Sequence, residues 1–248
     1  MNYKDKFYRN YVSTHVLPRK GEATLDEFKQ RSITYQKQFG KFLPKEKSAK
    51  LIDLGCGNGS VTWWLQQIGF TNTWGIDISA DQIEAGKRLG VNNIEQANIK
   101  TFLQNKKNFY EVIFARDILE HFNKEDIVEI LTLCYDSLKK GGVIIIQVPN
   151  AESPFFGRIR YGDFTHEIAF TSSSLSQLLR MVGFAGVRCY SIESLIHGAK
   201  SLIRFILWKM VETCYKSLLF VEIGRGRKIV TQDIIAVAKK IDEGVETQ

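Results

Sequence analysis

The stretch Leu51-Ile52-Asp53-Leu54-Gly55-Cys56-Gly57-Asn58-Gly59-Ser60 constrains this chain more than any other. An apolar run ends on an acidic residue and is followed by three glycines in five positions, which predicts a buried strand turning sharply into a helix. Glycines are needed where the backbone adopts positive φ or comes within contact of a bound molecule. The pattern Asp53-x-Gly55-x-Gly57-x-Gly59 departs from the dinucleotide spacing G-x-G-x-x-G, whose last glycine would fall at Ser60, and no lysine follows to make a P-loop. A second apolar run, Thr73-Trp74-Gly75-Ile76, ends on Asp77, 22 positions after Gly55 (77 − 55). A carboxylate so placed can accept two hydrogen bonds from a diol. Asp53 and Asp77 read merely as helix caps would leave the glycine spacing unexplained.

Residues 51–60 together with Thr73-Trp74-Gly75-Ile76-Asp77-Ile78-Ser79 resemble the first two motifs of class I S-adenosylmethionine-dependent methyltransferases. The resemblance implies that the glycine loop passes under the methionine part of the cofactor and that Asp77 binds both ribose hydroxyls. It implies a cofactor site drawn from Asp53, Gly55, Cys56, Gly57, Gly59, Asp77, Ile78, Asn98, Ile99 and Arg116. The fold it implies is α/β: a Rossmann-like, seven-stranded, mostly parallel sheet with helices on both faces and an antiparallel last strand.

At 248 residues, 44% of them apolar and 25% charged, the chain suits one α/β domain with insertions or at most two small domains. A net charge of +7 favours anionic neighbours: phosphate-bearing substrates, nucleic acid or an anionic membrane. Cys56, Cys134, Cys189 and Cys214 form no C-x-x-C pair, so neither a zinc ribbon nor a disulfide framework is expected, and a reducing cytoplasm fits. The polar start Met1-Asn2-Tyr3-Lys4-Asp5-Lys6 lacks the apolar core of a secretory signal.

Residues 1–47 are expected to form an N-terminal lid and helix. Tyr8, Tyr11 and His15 recur at helical spacing and give one aromatic face, and Phe7 to His15 is similar to the opening of bacterial methyltransferases that modify cell-surface glycans. The alternative is a loosely packed arm. Residues 22–43 read as an amphipathic helix with Leu25, Phe28, Ile33, Phe39 and Phe42 apolar, stopped by Pro44. The methyltransferase domain is expected over 48–240, with strands near 72–77, 93–97, 110–116, 143–148, 187–192 and 228–238, followed by a tail at 241–248. Alternating strands and helices force a parallel sheet. Asn98, or the neighbouring Gln96, stands where the resembled family carries an acidic residue for the adenine amino group. It reads equally as that acceptor or as a helix cap.

The fourth strand runs into Arg116-Asp117-Ile118-Leu119-Glu120-His121, at the sheet edge where ligands of open α/β sheets bind. If this segment is helical, Asp117, Glu120 and His121 project from one face as a divalent-metal half-site. The segment resembles the acidic-x-x-Glu-His run of ubiquinone-pathway O-methyltransferases and small-RNA ribose 2′-O-methyltransferases. That resemblance implies a Mg or Mn ion anchoring substrate oxygens, with His166 from Gly162–Thr171 as a further ligand. His121 and His166, 45 positions apart (166 − 121), are then expected to meet. Without metal, His166 or His121 becomes the general base, with Asp117 beside it, because a neutral imidazole suits removal of a hydroxyl proton near neutral pH.

Residues 150–170 form an insertion whose Phe155-Phe156-Gly157-Arg158-Ile159-Arg160-Tyr161 offers cations and aromatic faces to a sugar or phosphate. A helical excursion over 194–223 mixes Leu, Ile, Phe and Trp with Lys and Arg. Too many charges interrupt 195–223 for a membrane span, and it reads as an amphipathic helix on an anionic bilayer, a cover for the sheet, an acceptor pocket or a homodimer interface. The whole points to O-methylation of a sugar or related hydroxyl-bearing metabolite, in the cytoplasm or at the inner face of the membrane, in polysaccharide biosynthesis at the bacterial surface. RNA ribose or quinone-pathway methylation and a non-catalytic scaffold remain alternatives. No dedicated nucleic-acid module is visible.

Overall fold

A computed structural model describes residues 7, 14, 22–192, 195–224 and 229–241. Seven strands form one sheet: β1 Lys50–Leu54, β2 Asn72–Asp77, β3 Ile94–Gln96, β4 Tyr110–Arg116, β5 Leu138–Pro149, β6 Ala185–Ser191 and β7 Asp233–Lys239. Their order is β3-β2-β1-β4-β5-β7-β6. The pairings β2–β3, β1–β2, β1–β4 and β4–β5 are parallel. β7 inserts between β5 and β6 and is antiparallel to both. The chain therefore winds one way from β1 to β3 and the other way from β4, which leaves a crevice beyond the carboxyl ends of β1 and β4.

Eight α-helices stand among the described residues: α1 Leu25–Phe39, α2 Ser60–Gln67, α3 Ala80–Arg88, α4 Ile99–Leu103, α5 Lys124–Ser137, α6 Phe156–Arg160, α7 Ser172–Val182 and α8 Ala199–Ile223. The starts of α1, α3, α4, α5 and α7 follow side-chain capping chemistry. Ser79 Oγ caps α3 by accepting from Gln82 N, and Asn123 Oδ1 caps α5 by accepting from Asp126 N. Thr171 and Ser174 form a reciprocal capping box at α7. One core lies on the face covered by α5 and α7, around Leu54, Ile113, Leu131, Ile146 and Leu179. A second lies on the face covered by α1 and α2, around Phe39, Leu51, Trp64, Phe114 and Ile145. Strand residues buried on both sides make β1 and β4 near-continuous apolar runs, as a central parallel sheet demands.

The first helix is shorter than the 22–43 read from sequence, because a 3-10 turn over Gly40–Phe42 closes it. Leu25 and Ile33, expected on its apolar face, are exposed. The buried stripe is instead Phe28, Tyr35 and Phe39. The last strand begins at Asp233 rather than near 228. Of the expected lid, Tyr8, Tyr11 and His15 lie outside the described residues, while Phe7 stacks on Phe164 of the insertion with ring centroids 5.2 Å apart.

Candidate active site

The glycine loop leaves β1 at the crevice. Gly55 has φ 69° and a Cβ there would meet Ile118 Cγ1 at 2.7 Å, so only glycine makes this turn beneath β4. Gly57, at φ 55°, would accommodate a Cβ without a clash, its nearest neighbour being Gln82 Oε1 at 3.9 Å, and its N–H donates to Asp77 Oδ2 at 2.8 Å. Ser79 N donates to Asp77 Oδ1, also at 2.8 Å. Asp77 is thus fixed by both arms of the site, and each oxygen keeps a second lone pair for a diol. Gly59 occupies the N-cap of α2 in the left-handed region without a side-chain cap.

Behind the loop, Cys56 is buried with its N–H on Ile76 O at 2.9 Å. Ile78 is exposed beside Asp77, whereas Ile99 packs into the core. Asn98 resolves toward the cap: its Oδ1 accepts Lys100 N at 2.9 Å and opens α4. Gln96 Nε2 donates to Ile78 O at 3.0 Å, tying the two strand ends together.

At the end of β4 the structure corrects one expectation. Asp117 has φ 53°, and only Leu119–His121 coil, as a 3-10 turn. Asp117 therefore does not share a helical face with Glu120 and His121. Its Oδ1 accepts Gln147 Nε2 at 3.0 Å and its Oδ2 faces Arg116 at 3.2 Å. Arg116 also donates to Tyr35 OH at 2.7 Å and lies over that ring, and Tyr35 OH is 2.9 Å from Ser60 Oγ. Arg116 thus sits beneath the loop on partners of its own.

Glu120, His121 and His166 do converge, with ligating atoms all within 4.8 Å of one another. The imidazole centroids lie 4.7 Å apart. The insertion brings this about: Glu167 N donates to Glu120 O at 2.7 Å, and Arg160 grips His166 O and, at 2.5 Å, Glu167 O. Thr165 Oγ1 donates to Asp163 Oδ1 at 2.7 Å, so the same oxygen accepts the Nδ1 proton of His121 at 2.8 Å. His166 Nδ1 donates to Ile159 O at 3.1 Å. Both rings therefore carry their lone pairs on Nε2. Glu120 is buried, and its Oε2 has no hydrogen-bond partner among the described residues.

Buried acids crowd this edge of the sheet. Burial pushes the Asp53 carboxyl up to about 7, against the pull of Arg116. Burial, then Asp117, pushes Asp233 up to about 7 and Glu120 well above the carboxylate range. Asp77 is raised by burial despite its backbone donors. Burial lowers His166 and keeps it neutral. Several buried acids along one edge favour a positively charged ligand, since a cation there restores the ionised forms. The residues fit a divalent ion through two imidazole nitrogens and one carboxylate.

A family model described as a methyltransferase domain matches residues 27–188. The chain belongs to that family. Among curated proteins, this methyltransferase-family chain is 28% identical over 147 residues to a phosphoethanolamine N-methyltransferase of Plasmodium falciparum, covering 58% of the chain and 49% of that protein. It is 33% identical over 108 residues to a ubiquinone biosynthesis O-methyltransferase of Pelagibacter ubique, covering 42% and 43%. The chain spans about half the length of the curated relatives it matches. Among solved structures, a SAM-dependent methyltransferase from Archaeoglobus fulgidus superposes with a TM-score of 0.63 at 23% identity, covering 87% of this chain and 98% of that one. The shared fold is the Rossmann-like methyltransferase fold.

Several site residues of this methyltransferase domain escaped the sequence reading. Tyr35 is one, although Phe28, Tyr35 and Phe39 recur at seven and four positions and so share a helix face. Gln147 was visible only as a polar residue closing an apolar strand. Asp163 and Thr165 stand beside His166 in sequence, but no spacing rule pairs Thr165 with a histidine 44 positions earlier.

Proposed function

We propose that this chain transfers a methyl group from S-adenosylmethionine to an oxygen of a hydroxyl-bearing acceptor, with Glu120, His121 and His166 holding a divalent Mg or Mn ion. The observation that carries the reading is the buried Glu120 carboxylate, whose Oε2 has no hydrogen-bond partner among the described residues, facing two imidazoles at the crevice that also holds the glycine loop. A general-base role alone accounts for the histidines but not for that carboxylate. Asp77 would hold the ribose hydroxyls, and Gly55, Gly57 and Gly59 would let the cofactor approach the backbone. An ion at the three ligands would bind adjacent acceptor oxygens and favour loss of a proton from one of them. In the reaction the acceptor oxygen forms a bond to the methyl carbon as the carbon–sulfur bond breaks. The carbon–sulfur electron pair stays on sulfur, giving a thioether, and the hydroxyl proton passes to solvent water. The protein's part is to align oxygen, methyl and sulfur and to exclude water.

A sugar is the acceptor class we favour, because vicinal hydroxyls suit chelation at a half-site with open positions and because residues 7–15 resemble glycan-modifying enzymes. Surface-glycan synthesis follows from that resemblance. The test is calorimetric titration of S-adenosylmethionine with and without Mn²⁺, followed by methyl-transfer assays on sugar, RNA and quinone acceptors in chelator and after metal return. One-to-one cofactor binding with metal-dependent transfer to sugar supports the proposal. Full activity in chelator sinks the metal and leaves His166 or His121 as base. No cofactor binding favours a scaffold.

A further inference from the structure

Helix α8 presents an apolar face away from the domain. Its 25 residues carry an inner stripe, Ser201, Phe205, Trp208, Glu212, Tyr215 and Leu219, spaced four and three apart and buried or half-buried. The opposite side is centred on Ile203, Met210 and Val221, exposed by 57%, 65% and 83%. Ile206, Leu207 and Leu218 widen it, each at least half exposed. The helix period places all of these within one half of the circumference. The polar residues that intrude turn inward: Thr213 and Ser217 donate their hydroxyl protons to Lys209 O and Thr213 O, so neither asks for water.

Cations border this face on both sides. Lys209 and Lys216 lie along one flank, each 2.8 Å from Glu212. Lys200 and Arg204 lie along the other. Glu222, five turns after Arg204, is the acid on that flank, and an anionic lipid surface would offer counter-charges to Lys200 and Arg204 while burying the apolar face. The chain's net charge of +7 acts in the same sense. No helix among the described residues is long and apolar enough to cross a membrane, so a helix lying in the plane of the interface is the geometry this pattern allows.

A second observation points to lipid. Beside α8 a cleft of about 760 Å³ is lined by Phe155, Phe205, Leu207 and Trp208 together with Arg204 and Asp233. Asp233 stands opposite Pro149, two residues past the Gln147 that bonds Asp117, so the cleft lies near the candidate active site. A cleft that mixes apolar walls with polar and charged groups suits a molecule with an apolar anchor and a polar head.

We propose that α8 docks the protein on an anionic membrane surface through the face centred on Ile203, Met210 and Val221. This stands independently of the proposed methyl transfer. The test is flotation of the full chain with vesicles of mixed phosphatidylglycerol and phosphatidylcholine, against phosphatidylcholine alone, at low and high salt. The wild type is expected to float with the anionic vesicles and to be released in part by salt. The double variant Ile203→Glu/Met210→Glu should lose at least about tenfold in partitioning while still binding S-adenosylmethionine or, if no cofactor binds the wild type, keeping its circular dichroism and melting temperature. Lys200→Gln/Arg204→Gln, which spares the apolar face, should weaken binding chiefly at low salt. Absence of flotation on anionic vesicles overturns the proposal, as does flotation that neither variant changes. A stable dimer in sedimentation equilibrium that Ile203→Glu/Met210→Glu dissociates assigns the face to a second copy and overturns it equally.

Discussion

His121 Nδ1 lies 2.8 Å from Thr165 Oγ1, and Thr165 in turn donates to Asp163 Oδ1 at 2.7 Å. This relay sets the tautomer of a ring that faces Glu120 and His166, and a cation or a hydroxyl proton can be received only on the nitrogen that bears the lone pair. Thr165→Val keeps the shape and removes the acceptor, which favours the other tautomer. Mn²⁺ affinity by calorimetry should fall roughly 10- to 100-fold, and Thr165→Ser should restore it. Unchanged affinity in the valine variant would remove Thr165 from the site.

Asp77 joins the two arms of the cofactor site through Gly57 N and Ser79 N. Asp77→Ala loses two charge-assisted bonds to a ribose and also slackens the loop. At about 1.5 kcal/mol or more for each bond, S-adenosylmethionine affinity should drop by roughly 100-fold. An unaltered dissociation constant would take Asp77 out of cofactor recognition.

Asp53 links stability to pH. Its folded-state value, about 7, stands above its ordinary 3.8, so the folded state holds this proton more tightly than the unfolded chain. Stability is then fully present below the ordinary value and is lost as pH rises through about 7. At about 1.4 kcal/mol per unit, Asp53 contributes at most a few kcal/mol to that loss. In cofactor-free protein the melting temperature should decline from about pH 4 to about pH 7, and Asp53→Asn should shrink the decline. Glu120 and Asp233 act in the same direction, so part of it remains. Equal slopes in wild type and variant would contradict the assignment.

Gly55→Ala places a Cβ against Ile118 in a left-handed backbone. A loss of about 1–3 kcal/mol in urea unfolding is expected. Adding Ile118→Ala should recover only the steric share, because the φ strain persists. A Gly55→Ala protein as stable as wild type would show that the turn accommodates a side chain.

Whereas the meeting of His121 and His166 was expected only from the resemblance to metal-binding methyltransferases, the sequence by itself determined the sheet class, the glycine loop and the acid closing β2. These are consequences of local rules: apolar periodicity makes strands and helices, glycine marks positive φ, and a parallel sheet gathers strand ends at one edge. The tertiary structure alone decided which polar residues share the site. Asp117 left the metal group because a left-handed residue and a 3-10 turn rotate it toward Arg116 and Gln147, and no helical wheel anticipates that rotation. Thr165 and Asp163 entered because the insertion folds back on the Glu120 carbonyl. Asn98 turned to capping α4. The outward side of α8 was equally invisible, since an amphipathic pattern gives a face but only packing says which way it points.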